Sequence, residues 1–256
     1  MPFPNSDRVI YDKNPLNEVI CHVRFPSILR IDAEIPASFQ ERIRAHYPGY
    51  SDTRAELELL PPQIASLNLP FRPLPSYNFT SADGLWTIGL TREALGLTCR
   101  RYQRWEEFKE HFKIPLDALL AEYKPSYFSR IGLRYQDIIQ RSKLGLEKVD
   151  WSQLLRDHIT GLLGSTVKDS VTEIVTQAVM QIEPNPAHVR ISHGLINIVG
   201  TIEKCYAIDS DFYTEGRTET GDVIGILDIF NQEAGRLFRW CITDQLHQAM
   251  GPRPIE

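Results

Sequence analysis

A chain of 256 residues that is 42% hydrophobic and 24% charged carries enough apolar side chain for one large core or two smaller ones. Its formal net charge of −5 argues against a protein held to nucleic acid by electrostatics, and no run of about 18 apolar residues offers a membrane span. The opening Met1-Pro2-Phe3-Pro4-Asn5-Ser6-Asp7 lacks the basic-then-apolar order of a secretory signal, so the expected compartment is the cytoplasm.

In chain order, the first strand is predicted where Val19, Cys21, Val23 and Phe25 alternate with Glu18, Ile20, His22 and Arg24, ending at Pro26. Pro36 opens a helix through Ile43, which Pro48-Gly49 closes. The proline-rich stretch from Leu60 to Pro75 reads as an extended loop, because so many prolines do not fit a central strand. Strands follow at Tyr77 to Ser81 and Leu85 to Leu90, joined by the turn signal Ala82-Asp83-Gly84, and a third runs from Ala94 to Arg100. Phe108, Phe112, Leu116, Leu119, Leu120 and Tyr123 recur at helical spacing from Trp105 to Tyr123, and Pro115 predicts a kink or break there. Phe128 to Tyr135 returns as a strand.

The second half repeats the order. A short helix is predicted from Trp151 to Leu163, and strands at Val171 to Ile182, His188 to Ile198 and Tyr206 to Tyr213. The last helix spans Asp222 to Met250 on a stripe of Val223, Ile226, Phe230, Ala234, Leu237, Cys241 and Ala249, stopped by Gly251-Pro252. The expected fold is α+β: antiparallel curved sheets, each covered by a long amphipathic helix, in closely packed halves at 1–142 and 143–256 that resemble each other in order. Cys21, Cys99, Cys205 and Cys241 are far apart, lie in apolar segments and form no CxxC, so four reduced, buried thiols are expected.

Asn14-Pro15-Leu16-Asn17-Glu18-Val19 with Arg24-Phe25, then Arg130-Ile131-Gly132-Leu133-Arg134-Tyr135, Ile208-Asp209-Ser210-Asp211 and Leu237-Phe238-Arg239-Trp240-Cys241-Ile242-Thr243-Asp244, carry a likeness over nearly the whole chain. It resembles a sporadically distributed, uncharacterised family of bacterial proteins of about this length. That resemblance implies no particular activity. The patchy distribution fits accessory cargo, such as an antiphage defence or toxin–antitoxin module.

No catalytic constellation stands out. Phosphate-binding GxxxxGK[ST] and GxGxxG loops, the GxSxG elbow and HExxH are absent from the sequence. His188 and His193, five apart on one strand, should face opposite ways, so no metal site is expected there, and no cofactor is implied. Asp209 and Asp211 share a strand face about 7 Å apart, a spacing that suits a metal or an acid–base pair. The alternation of Ile208 and Phe212 instead leaves both carboxylates facing solvent as ordinary surface.

The arginines are more suggestive. Arg92, Arg100, Arg101 and Arg104 surround the third strand and the start of the middle helix, and Arg130 and Arg134 share one strand face near Tyr135. Same-face arginines can grip carboxylate or phosphate in bidentate fashion, or meet a protein partner. The alternative is a hydrated surface on which they pair with Glu93, Glu106, Glu107 and Asp137. A cavity between the terminal helix and its sheet would be a further, apolar ligand site. The expected function is a non-catalytic binding or regulatory module with a protein partner or homo-oligomer; no membrane contact is expected, and the acidic balance disfavours nucleic acid while leaving room for a local basic patch. The competing expectation is a nucleotide- or anion-binding sensor or enzyme built on the arginines, with Asp209 and Asp211.

Overall fold

The alternation in β2 (Leu16–Arg24) survives into three dimensions: Val19, Cys21 and Val23 are fully buried, while Asn17, Glu18, Ile20, His22 and Arg24 are half-buried or exposed. These observations come from a computed structural model, which describes residues 2–53, 76–183, 186–198, 200 and 202–254. The fold is α+β with antiparallel sheets, as expected. The loop expected from Leu60 to Pro75 lies outside the described residues.

The chain forms two compact units, neither of them a continuous stretch. One comprises Glu18–Leu133 and Thr214–Ile226, and the other Met1–Asn17, Arg134–Tyr213 and Leu227–Glu256. Ser142, the expected boundary, lies inside the latter. The remaining strands are β1 (Val9–Tyr11), β3 (Gly49–Thr53), β4 (Ser76–Thr80), β5 (Trp86–Thr91), β6 (Ala94–Cys99), β7 (Phe128–Ile139), β8 (Val175–Ile182), β9 (Ala187–Asn197), β10 (Lys204–Thr218) and β11 (Pro252–Pro254). The helices are α1 (Arg30–Ala33), α2 (Ala37–Ile43), α3 (Trp105–Glu122), α4 (Arg141–Leu144), α5 (Trp151–Leu154), α6 (Asp157–Thr160), α7 (Val223–Cys241) and α8 (Asp244–Ala249).

In the unit that begins at Glu18, the strands run β3-β4-β5-β6-β2-β7. Antiparallel register sets Cys21 opposite Leu97, Leu97 opposite Ile88 and Ile88 opposite Phe79, giving a buried row across four strands. Each such side chain contributes roughly 1.5–3 kcal/mol of apolar burial. The covering helix is α3, whose Phe108 meets Trp86 at 5.7 Å, while His111 stacks on the same indole at 3.8 Å. The Asp83 carboxylate closes the hairpin by accepting from Leu85 N at 3.0 Å, with Gly84 at φ 70°. Pro115 does not break α3. It is buried between Phe112 and Leu116, and packing there offsets the backbone hydrogen bond that proline forgoes.

In the other unit the order is β7-β10-β9-β8, with β1 and β11 paired separately. Helix α7 covers this sheet through Phe230 on Phe212 at 6.0 Å and Asn231, which accepts from the Tyr135 hydroxyl at 3.0 Å. Tyr206 donates to the Ile159 carbonyl at 3.1 Å, which leaves Nδ1 of His193 as the donor to its oxygen at 2.7 Å. Three expected elements are corrected. The helix expected over Trp151 to Leu163 is α5, α6 and a 3₁₀ turn, because Leu155 leaves the helical path to bridge Ile242. That same bridge ends α7 at Cys241, and Thr243 then caps the separate α8, so the terminal helix is two helices. Strand β8 starts at Val175 rather than Val171, since Lys204 holds the carbonyls of Val171 and Thr172 outside the ladder at 3.5 and 3.0 Å.

Candidate functional site

Strand β7 alternates faces, so Arg130 and Arg134 project to one side and Tyr135 and Asp137 to the other. Each arginine is already engaged within its own unit. Arg134 forms a fork with Asp209: Nε meets Oδ1 at 2.7 Å and Nη2 meets Oδ2, with side-chain exposures of only 17% and 8%. Arg130 donates from Nε to His22 Nε2 at 3.0 Å and lies 3.7 Å from Glu215. Because Nε2 of His22 accepts, its ring proton resides on Nδ1. A Cβ at position 132 would fall 2.3 Å from that imidazole, so glycine is what lets His22 lie across β7.

The expected solvent-facing carboxylates are corrected here. Strand β10 has neighbours on both sides, and both of its faces are largely buried from Cys205 to Thr214; Asp209 is buried and Asp211 half-buried. Asp137 is no surface partner of the arginines either. It is buried on the opposite face of β7 from Arg134, and burial, with the Asp209 charge adding to it, pushes its carboxyl well above the usual range.

The other arginines are not brought to this place. Arg92 bridges Asp32 at 3.5 Å and Glu93 at 3.2 Å, and Arg100 pairs with Glu18 at 3.7 Å. Arg101 is exposed, and exposed Arg104 supplies the extended residue that precedes α3. His188 stacks against Tyr213 and His193 against Tyr206. Among the described residues no three His, Cys, Asp or Glu side chains lie together as metal ligands, and no helix is long and apolar enough to cross a membrane.

The sequence reading missed what the strand order exposes. Among the described residues, strand β8 stands at the end of its sheet and reads Val-Thr-Gln-Ala-Val-Met-Gln-Ile, eight residues without charge, proline or glycine. Val175 and Val179 are 49% and 52% exposed and share a face with Gln177 and Gln181. Natural edges of this length usually carry lysine, proline or a bulge to prevent pairing with another chain. The charge-free run was visible in the sequence, but its position at an edge was not. The chain matches no protein-family model, no curated protein and no solved structure.

Proposed function

We propose that this chain is a non-catalytic binding module that takes an extended segment of a partner protein as an added strand along β8. The carrying observation is an edge that no described residue pairs with: a terminal strand of eight residues with no charge and with Val175 and Val179 about half exposed. Such an edge presents main-chain N–H and C=O groups for affinity and alternate side-chain positions for specificity. The β7 arginines support the same reading, since Arg134 is committed to Asp209 and Arg130 to His22 and Glu215. A regulatory pair in a bacterial defence or toxin–antitoxin-like system, the setting that the patchy distribution of the resembled family fits, would use a protein-binding surface.

The test places a photo-crosslinking amino acid at Val179 and, as a control, at exposed Tyr50 in the full chain expressed in its own host. A single heavier protein species at Val179 and not at Tyr50 is the expected result. Crosslinking at neither position, or at Tyr50 alone, would overturn the reading.

A further inference from the structure

One side-chain cluster, built on the His188–Tyr213 stack, is separate from the β7 arginines. His188 and Arg190 are two apart on β9 and therefore share a face, and both are laid against Tyr213 of β10. The His188 ring stacks on the phenol at 5.5 Å with a 26° interplanar angle, and the Arg190 guanidinium carbon lies 5.8 Å from the ring centroid. Tyr213 itself is 5% exposed, so the platform under both groups is fixed. Arg190 makes no ion pair among the described residues, in contrast to Arg130 and Arg134. Its cross-strand neighbour on β8 is Val179, and that of His188 is Gln181, so β8 supplies no acid to neutralise them. Nδ1 of His188 is buried without a hydrogen-bond partner among the described residues.

We propose that Arg190 and His188, seated on Tyr213, bind the phosphoryl group of a small phosphorylated ligand. A guanidinium held by its face against an aromatic ring keeps its N–H edge available, and that fork matches two oxygens of a phosphate. The half-buried His188 imidazole beside it supplies a third donor through its exposed part. Asp209, which lies on the same sheet face, is occupied by Arg134. His188 and Arg190 cover the aromatic ring, so recognition falls on the oxyanion rather than on a stacked base. This site uses different residues from the β8 edge, and either proposal can fail alone.

The experiment is calorimetric titration of the full chain with inorganic phosphate and with methyl phosphate, each repeated against acetate as competitor. Saturable binding is expected, weakened about 10- to 100-fold in Arg190→Ala, as for loss of charge-assisted hydrogen bonds, and partly restored in Arg190→Lys. His188→Ala should weaken it less. Unchanged affinity in Arg190→Ala, no saturable binding in the wild type, or acetate competing as well as phosphate would each overturn the proposal. Should Arg190→Ala fail to fold, the His188 ring ¹⁵N resonances of the wild type decide: a shift on adding phosphate supports the site, and invariance overturns it.

Discussion

At 8% and 17% side-chain exposure, Asp209 and Arg134 hold each other's charge in a setting where neither has much water to fall back on. Removing one partner strands the other, which typically costs about 3–5 kcal/mol, whereas replacing both with well-packed apolar residues is close to neutral. Asp209→Ala is therefore expected to lower the denaturant midpoint sharply, and Arg134→Met with Asp209→Leu to recover most of the loss; a cycle with no coupling would contradict the assignment. Asp137 makes a pH prediction. Its folded pKa is raised, so its contribution to stability is fully present below the unfolded value of about 3.9 and is lost as pH rises through the folded pKa. Compared with Asp137→Asn, the wild type should lose stability with rising pH at a limiting slope of about 1.4 kcal/mol per pH unit, read from thermal melts across pH. Parallel curves would remove the claim. Alternation alone made Arg130 and Arg134 legible as neighbours on one face. Their partners were not legible: Asp209 is 75 residues from Arg134, and only the strand order brings β10 beside β7.

Helix α7 shows how much of an element periodicity carries. Of the expected stripe, Val223, Phe230, Ala234, Leu237 and Cys241 are buried, with Leu227 and Phe238 added, whereas Ile226 is half-buried and Ala249 belongs to α8. The break after Cys241 was not readable, because Ile242 continues the apolar pattern and its departure is caused by a bridge to Leu155, far away in sequence. Thr243 then serves both sides of the break: Oγ1 accepts from Leu246 N at 3.4 Å and donates to the Gln153 carbonyl at 2.8 Å. Thr243→Ala should cost about 1 kcal/mol in equilibrium unfolding, the usual loss for a helix cap. A variant as stable as the wild type would show that α8 is held by packing alone. Strand β8 is the opposite case, where local pattern identified a strand and the edge position that gives it meaning came only from the sheet order.

For the molecule as a whole, composition and periodicity were enough for the α+β class, the antiparallel strands and the helices that cover them, because those follow from where apolar residues recur. The grouping into units was not, since both are assembled from separated segments. The four cysteines are all buried and unpaired, and burial pushes the Cys99 thiol up to about 11 and the Cys21 and Cys241 thiols higher than usual. No thiol should react with a maleimide at neutral pH in the folded chain, and all four should react in denaturant; rapid labelling of the native protein would contradict the packing. The most direct measurement of the central claim is native mass spectrometry on the protein captured gently from its own host, wild type beside Val175→Lys with Val179→Lys. Two exposed substitutions of this kind should shift stability by only about 0.5 kcal/mol each, so the variant remains folded. A stoichiometric protein partner is expected on the wild type and absent from the double variant. A partner retained by the variant, or a wild type that carries none, would contradict it.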